Sequence, residues 1–482
     1  MITMSINLDD VGNDLQNKNG QLCLGQSYVE KFETVHLMVT HMTGVARRSI
    51  WVGEDANPVS HAFESAQISA AVRAIDDFEG VAIIIEEQPK PNILIARTTG
   101  GTTPLFIAGI NGTIVASWKF EFVAESLSVR EPDVEACRLF LEHSQTRSRN
   151  QIIKGVYMLW PGEAVRFDKD GLTFEQITTP AIVLSSALKD NARATDAFLD
   201  LIAQAAKRSL ERSIGPAVEV SGGLDSSCVA VAIARIRPDL KSYGAIQLGI
   251  VGEQQRRRRD ELIDLLKIDD RASQIADETP TRSLARLECQ LTPFDDLYRL
   301  QALDALDLHP AHSIDTVLTG IGGDELTKEY SPLRPEWDLG GVASWSAIVA
   351  AASRADMFMR RGIWPVNPLV SIPVINFCRA LPPKLRLNRQ LNLMTLARAG
   401  LSDGFLFPRY HEHFGNVLTL EAINTDYDKV FTQSVIADYH IADISATLAL
   451  ARDATLHGLS WELVSKLYNM AKLEFVLRRY IQ

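Results

Sequence analysis

The stretch Val218-Glu219-Val220-Ser221-Gly222-Gly223-Leu224-Asp225-Ser226-Ser227 constrains this chain more than any other. An apolar, β-prone run (Ala217, Val218, Val220) enters two glycines and an aspartate, and a helix-periodic run follows from Cys228 to Ala234. That order predicts a strand, a tight turn and a helix N-terminus. Gly222 and Gly223 permit positive φ and let backbone N–H groups approach an anion, while Ser226, Ser227 and the helix dipole add donors and positive field. Asp225 would repel a bare phosphate but suits a divalent cation that bridges carboxylate and phosphate oxygens. Taken alone, the stretch leaves open an ordinary βα turn with polar caps.

A second stretch, Thr316-Val317-Leu318-Thr319-Gly320-Ile321-Gly322-Gly323-Asp324-Glu325, repeats the order of strand, glycines and acid. With it, the motif SGGLDSS resembles the pyrophosphate loop of the ATP-pyrophosphatase (PP-loop) enzymes, and the pair resembles the two loops of the asparagine synthetase superfamily. It is not a Walker loop, since no Gly-Lys-Ser/Thr follows. The resemblance implies ATP cradled by Ser221, Gly222, Gly223, Asp225, Ser226, Gly322 and Gly323. It also implies Mg²⁺ held by Asp225 and Asp324, and adenylation of a carboxylate with release of pyrophosphate.

At 482 residues the chain exceeds one ordinary domain. Its 46% apolar and 23% charged residues are ordinary for a soluble globular protein. A net charge of −11 argues against nucleic acid as the main partner, because affinity there rests on clustered Lys and Arg. Only Arg256 to Arg259 form a basic run, read as a solvated loop or helix start, with an anion or peptide contact as the alternative. Five cysteines (Cys23, Cys137, Cys228, Cys289, Cys378) show no C-x-x-C spacing, which suggests reduced thiols in a cytosol. Neither a signal-peptide pattern nor an uninterrupted apolar run long enough to span a bilayer occurs, so a cytoplasmic location without membrane contact is expected.

Residues 1 to about 30 are Asn/Asp/Gln-rich and read as an irregular lead. Strands are expected at Val35–Val39, Ser49–Val52, Val81–Glu86, Asn92–Arg97, Leu105–Ala108 and Thr113–Trp118, with a helix at Ser65–Ile75. Glu79-Gly80-Val81-Ala82, Ile95-Ala96-Arg97, Pro104-Leu105-Phe106 and Ile114-Val115-Ala116-Ser117 resemble successive strands of the glutamine amidotransferase (Ntn-type) domain of asparagine synthetase. Lys154 to Tyr157 and Trp160 to Phe167 resemble its closing hairpin. That domain needs a cysteine immediately after the initiator methionine, with the freed α-amino group as base. Ile2 stands there, and Cys23 would be exposed only by removal of residues 1–22. Residues 1–180 are therefore expected to form a degenerate, non-hydrolysing, sheet-rich domain.

Ile182–Asp190 reads as a crossover and Thr195–Ser213 as an amphipathic helix. Strand-like Lys241–Ile250, helices at Arg259–Leu266 and Phe294–Ala305, and the strand at Thr316 then alternate. This order implies an α/β unit over residues 190–482, with a doubly wound parallel sheet, ATP at the carboxyl ends of its strands, and a mostly helical part beyond Ala343.

Asparagine synthetases capture ammonia made in their own glutaminase site, whereas β-lactam synthetases and lasso-peptide cyclases use an amine already present in the substrate. The missing cysteine points to the second group. Asp356 lies where the β-lactam synthetases carry the acid of a catalytic dyad; the plainer reading is an acid paired on a surface helix beside Arg354, Arg360 and Arg361. The dyad's tyrosine is replaced by Ile321. Trp364 to Val370 matches the segment before the terminal helices but lacks the acid and arginine usual in asparagine synthetase. Arg409-Tyr410-His411-Glu412-His413 resembles the stretch whose lysine neutralises charge on the adenylate; His411 takes that lysine's place and Arg409 is the alternative cation, although His411 and His413 also read as ordinary loop histidines. Together these resemblances imply a lasso-peptide cyclase-like macrolactam synthetase acting on a precursor peptide freed of its leader, with a leader peptidase as a partner. A small-molecule amide or β-lactam synthetase acting on an amino-acid-like substrate, a homologue of glutamine-hydrolysing asparagine synthetase, and a non-catalytic ATP-binding scaffold are the alternatives.

Overall fold

The structure, a computed structural model, describes residues 1–44, 46–54, 79–143, 148–177, 193–275, 299–327, 345–410, 412, 425–457 and 461–481. The expected helix at Ser65–Ile75, the crossover at Ile182–Asp190, the start of the Phe294 helix, Cys289, His411 and His413 lie outside the described residues.

The N-terminal part forms two antiparallel sheets. The first comprises β1 (Ile2–Asn7), β2 (Leu15–Lys18), β3 (Gln21–Leu24), β4 (Ser27–Lys31), β9 (Phe106–Ile110), β10 (Thr113–Ser117) and β11 (Tyr157–Met158), ordered β11-β9-β10-β1-β4-β3-β2. The second comprises β5 (Met38–Thr43), β6 (Arg47–Gly53), β7 (Gly80–Glu86), β8 (Asn92–Arg97), β12 (Glu163–Asp168) and β13 (Gly171–Gln176), ordered β13-β12-β8-β7-β6-β5. One apolar cluster joins them, with Ile2, Met4 and Ile6 of β1 and Ile83, Ile85, Ile93 and Ile95 of β7 and β8 among its members.

The expected irregular lead is corrected here, since β1 to β4 occupy it and β1 sits in the interior of its sheet. Its polar residues fall at turns: the Asn7 side chain accepts from Asp9 N, and Asn19 adopts φ 54° between β2 and β3. Its apolar residues alternate, so Ile2, Met4 and Ile6 reach the core with period 2. Turn chemistry drew attention from that alternation. The helices Phe120–Ser126 and Val134–His143 were likewise not anticipated.

The C-terminal sheet is wholly parallel. Its strands β14 (Pro216–Glu219), β15 (Lys241–Ile246), β16 (Asp269–Gln274), β17 (Thr316–Leu318) and β18 (Trp364–Val366) are ordered β16-β15-β14-β17-β18. The order reverses between β14 and β17, which is where a doubly wound sheet opens a crevice at its carboxyl edge. Both glycine stretches begin there. The helix Leu224–Ala234 is buried on nearly every side, as its run Cys228-Val229-Ala230-Val231-Ala232-Ile233 requires. Two boundaries differ from expectation: the helix after β15 starts at Gly249 and runs to Leu266, and Trp364–Val366 adds an edge strand. Arg258 and Arg259 of the basic run are buried within that helix, so only Arg256 and Arg257 are solvated.

Helix Ala194–Arg212 and strand β18 lock the parallel sheet to the N-terminal part. Trp364 stacks on Phe32 and His36, at centroid distances of 6.3 and 6.1 Å, and donates from Nε1 to Glu54 Oε1 at 2.9 Å. Ser209 Oγ donates to the same oxygen at 2.8 Å, and Arg212 donates to His36 O at 3.0 Å. Burial of Glu54 raises its pKa against these bonds.

His36 is 1% exposed and hydrogen-bonds Thr316 Oγ1 through Nε2 at 2.9 Å. Burial lowers its pKa from 6.5 to about 4, with Asp315 opposing and Arg212 reinforcing the shift. The unfolded chain takes up this proton below pH 6.5, whereas the folded chain does not until about 4. Stability from neutral His36 is therefore complete above the unfolded value and is lost as pH falls through that window, by at most about 3 kcal/mol. Urea unfolding of the wild type and His36→Gln between pH 7.5 and 4.5 should show the wild-type advantage shrinking with acid; a constant difference would contradict this.

Candidate active site

The first loop leaves β14 and turns at Gly222, whose φ of +84° favours glycine. Ser221 Oγ accepts from Gly223 N at 3.1 Å and lies 3.2 Å from Ser226 Oγ; Ser227 Oγ donates to Gly223 O at 2.7 Å. Buried Gln255 clamps the strand ends from beneath, donating through Nε2 to Ser221 O at 2.7 Å and Ala245 O at 2.9 Å and accepting from Gln247 N at 2.9 Å. The loop is thus held open ahead of a helix N-terminus, where N–H groups and dipole favour an anion.

The second loop lies directly against that helix. A Cβ on Gly323 would fall 2.3 Å from Cγ of Asp225, and one on Gly320 would fall 2.6 Å from Ser226 N, so neither position has room for a side chain. Gly322 faces Leu369 and Val370 instead. The close approach sets Asp324, in the first turn of helix Gly323–Thr327, beside Asp225. Arg389 joins the pair, with an ion pair to Asp324 Oδ1 and a 4.0 Å approach to Asp225 Oδ2, while Asn392 Nδ2 donates to Asp225 Oδ1. Two carboxylates at the mouth of an anion-binding loop suit Mg²⁺, which characteristically takes one or two protein carboxylates and completes its shell with phosphates and water. The glycine cradle and the shared counter-ion both fit a metal bound with a polyphosphate.

The stretch around Arg409 docks beside the first loop. Tyr410 N donates to Gln254 Oε1 at 2.9 Å and Tyr410 O accepts from Gln254 Nε2 at 2.8 Å; Arg409 is exposed, its guanidinium 5.6 Å from the Tyr410 ring centroid. Glu412 pairs with buried Arg258 at 2.7 Å, and its Oε2 lies 3.6 Å from the place of a Gly222 Cβ.

Asp356 occupies different ground. It is 5% exposed rather than on a surface helix face, and it lines a small pocket with Pro104, Phe106, Met158 and Trp160 of the N-terminal part. Arg360 donates from Nε to Asp356 at 2.8 Å and forks onto both oxygens of Glu121 at 2.8 and 2.9 Å. Burial pulls the Arg360 pKa down, but bonds to Glu121 and Asp356 outweigh it and raise it.

The sequence did not single out Gln255, Arg389, Asn392 or Asn367. Asn367 accepts from Thr319 Oγ1 at 2.6 Å and donates to Thr102 Oγ1 at 3.2 Å, bridging the second loop to the N-terminal part. A signal existed for Asn392, a polar residue among Leu391, Leu393 and Leu396 that is 1% exposed.

Residues 197–364 match the asparagine synthase family model. The chain therefore carries an asparagine synthase-type domain, of the kind that forms amides at the expense of ATP. The match includes both loops and Asp356 but ends before Arg389 and Arg409. No curated protein matches the chain. Solved structures similar to it include the following two. The allosteric regulatory enzyme of purine biosynthesis is 8% identical, with 54% of this chain and 68% of that one covered and a TM-score of 0.23. The glutamine phosphoribosylpyrophosphate amidotransferase from B. subtilis, complexed with ADP and GMP, is 10% identical, with 78% and 92% covered and a TM-score of 0.23. At those scores neither likeness carries an argument, and the architecture stands on the strand pairing above. Among the described residues no helix is long and apolar enough to cross a membrane.

If the contact between loops is what sets the carboxylates, Gly323→Ala should leave a folded protein and displace Asp225. We expect ATP–pyrophosphate exchange to fall by about 10²-fold, the scale of an ångström-sized misplacement. Unaltered exchange in the folded variant would show that the contact does not matter.

Proposed function

We propose that this protein is an ATP-dependent amide synthetase that adenylates a carboxylate, releases pyrophosphate and joins the activated acyl group to an amine of the same molecule, with AMP as the leaving group. The observation that carries this reading is the meeting of the two glycine loops at the sheet's switch point, with Asp225 and Asp324 side by side at a helix N-terminus. Mg²⁺ bound there would shield phosphate charge and draw electrons from the bond to be broken. The residues of the chain do the rest. Ser221, Gly222, Gly223 and Ser226 orient the departing pyrophosphate, and Arg409, on the stretch whose Tyr410 docks on Gln254, supplies the positive charge that the adenylate needs.

Asp356 is the proposed acceptor of the amine's proton, since an ammonium must lose a proton before its lone pair attacks. Its place against Pro104, Phe106, Met158 and Trp160 makes the N-terminal sheets one wall of the acceptor site. Those sheets act as a platform rather than as a glutaminase: Ile2 is fully buried in β1, and Cys23 is held in the β3 hairpin strand. An amine carried by the substrate follows, and a lasso-peptide cyclase-like reaction, in which an Asp or Glu side chain of a leader-free peptide closes onto its N-terminal amine, is the substrate class we favour. A leader peptidase would then act upstream.

Pyrophosphate release should be stimulated by short peptides with a free N-terminus and an internal Asp or Glu, and not by free amino acids; the reverse would replace the peptide reading with a small-molecule synthetase. Asp225→Asn and Asp324→Asn should abolish release in folded protein, and near-normal turnover in either would refute the metal assignment.

With an active substrate, Asp356→Asn should retain ATP–pyrophosphate exchange and lose amide formation by about 10²- to 10⁴-fold. Arg409→Ala should slow both. Loss of exchange and amide formation together in Asp356→Asn, or of neither, would remove Asp356 from the acyl-transfer step.

A further inference from the structure

Arg389 stands between the two carboxylates assigned to the metal. It pairs with Asp324 and approaches Asp225 to 4.0 Å, and neither loop, Ser221–Ser227 or Thr319–Glu325, carries a cationic side chain of its own. Its backbone is held in an uncommon state: Asn388 and Arg389 have φ of 53° and 60°, in the left-handed region that non-glycine residues seldom occupy. Two bonds fix that geometry. Arg389 N donates to Thr327 O at 2.9 Å, at the end of the helix that begins with Gly323 and Asp324, and Arg389 O accepts from Leu393 N at 2.9 Å. Strain kept in place by surrounding bonds is characteristic of positions where a side chain must be aimed.

The charge arithmetic gives the aim a purpose. Gly323 forces Asp225 and Asp324 together, and like charges so placed require a cation. A guanidinium supplies one positive charge, and its planar fork can face two carboxylates at once. A divalent ion arriving alone must displace it, whereas one arriving with a polyphosphate brings new anionic oxygens to which the released guanidinium can turn. The side chain is 28% exposed rather than locked in the core.

Resting on the synthetase reading above, we propose that Arg389 is the built-in counter-ion of the metal site, holding Asp225 and Asp324 until metal and nucleotide arrive together and then binding the phosphate chain. It thereby couples metal binding to nucleotide binding. Lysine would keep the charge but lose the fork.

The test measures binding rather than turnover, with Mn²⁺ alone, with ATP in the presence of Mg²⁺, and with inorganic pyrophosphate in the presence of Mg²⁺. Arg389→Gln should bind Mn²⁺ alone about tenfold more tightly than the wild type and bind ATP and pyrophosphate about tenfold more weakly, both within the usual range for coupled ligands. Arg389→Lys, which covers the case of a poorly folded glutamine variant, should recover most of the nucleotide affinity and bind Mn²⁺ between the two. If the wild type binds Mg²⁺ with ATP while both variants match it for every ligand, the inference is overturned and the synthetase reading stands. If the wild type binds neither ATP nor pyrophosphate with Mg²⁺, and Asp225→Asn changes nothing, the synthetase reading itself fails and the inference falls with it.

Discussion

The absence of side chains where the second glycine loop meets the first helix is the constraint from which the site follows. Gly323 and Gly320 let two backbone segments approach within a distance that any Cβ would prevent, and Asp225, Asp324 and the helix N-terminus converge as a result. Electrostatics alone would drive the carboxylates apart. Packing beneath them holds: Val218, Leu318, Val366 and the apolar face of Leu224–Ala234 belong to one buried cluster. Covalent geometry and core burial thus supply the work of bringing like charges together, and Arg389 neutralises what remains.

That cluster does not stop at the sheet. It runs through Phe198 and Ile202 into the two antiparallel sheets, so the N-terminal part and the parallel sheet are packed as one body. Polar bonds then set their alignment. The seam at Trp364, Glu54, Ser209, His36 and Thr316 places β18 and β17 against the segment between β4 and β5 and the residue that follows β6, and β17 leads directly into the second loop. Movement at the seam would be felt at Thr319, because Asn367 links that residue to Thr102 across the boundary.

Much of this was legible in the sequence where a residue type admits one geometry. Gly222 before Asp225, and Gly323 before Asp324, announced two turns at strand ends, and alternating strands and helices announced a parallel sheet. Legibility failed where a residue's role depends on partners distant in the chain. Arg389 looks like a surface arginine until Asp225 and Asp324 are brought to it, and Gln255 looks solvated until Ser221 and Ala245 turn toward it. At the N-terminus, the pattern Ile2, Met4, Ile6 carried the information, but turn-forming Asn and Asp residues nearby outweighed it. Arg258 and Arg259 show the same failure in reverse: a basic run reads as solvated, and only the fold brings Glu412 and Asp270 to pair with them.

The bridge from Glu121 through Arg360 to Asp356 joins the N-terminal sheets to the asparagine synthase-type domain. Burying three charged groups adds little net stability, since desolvation consumes most of the attraction. Direction is what such a bridge supplies. Arg360 grips both oxygens of Glu121, which sits on a helix that follows β10, and presents its Nε to Asp356. Without Glu121, Arg360 would keep its bond to Asp356 and its place over the Trp118 ring, 5.7 Å from the centroid, but lose the two-pronged grip that aims it. The N-terminal sheets therefore fix the orientation of a carboxylate that belongs to the asparagine synthase-type domain, and this requirement is independent of whether those sheets hydrolyse anything themselves.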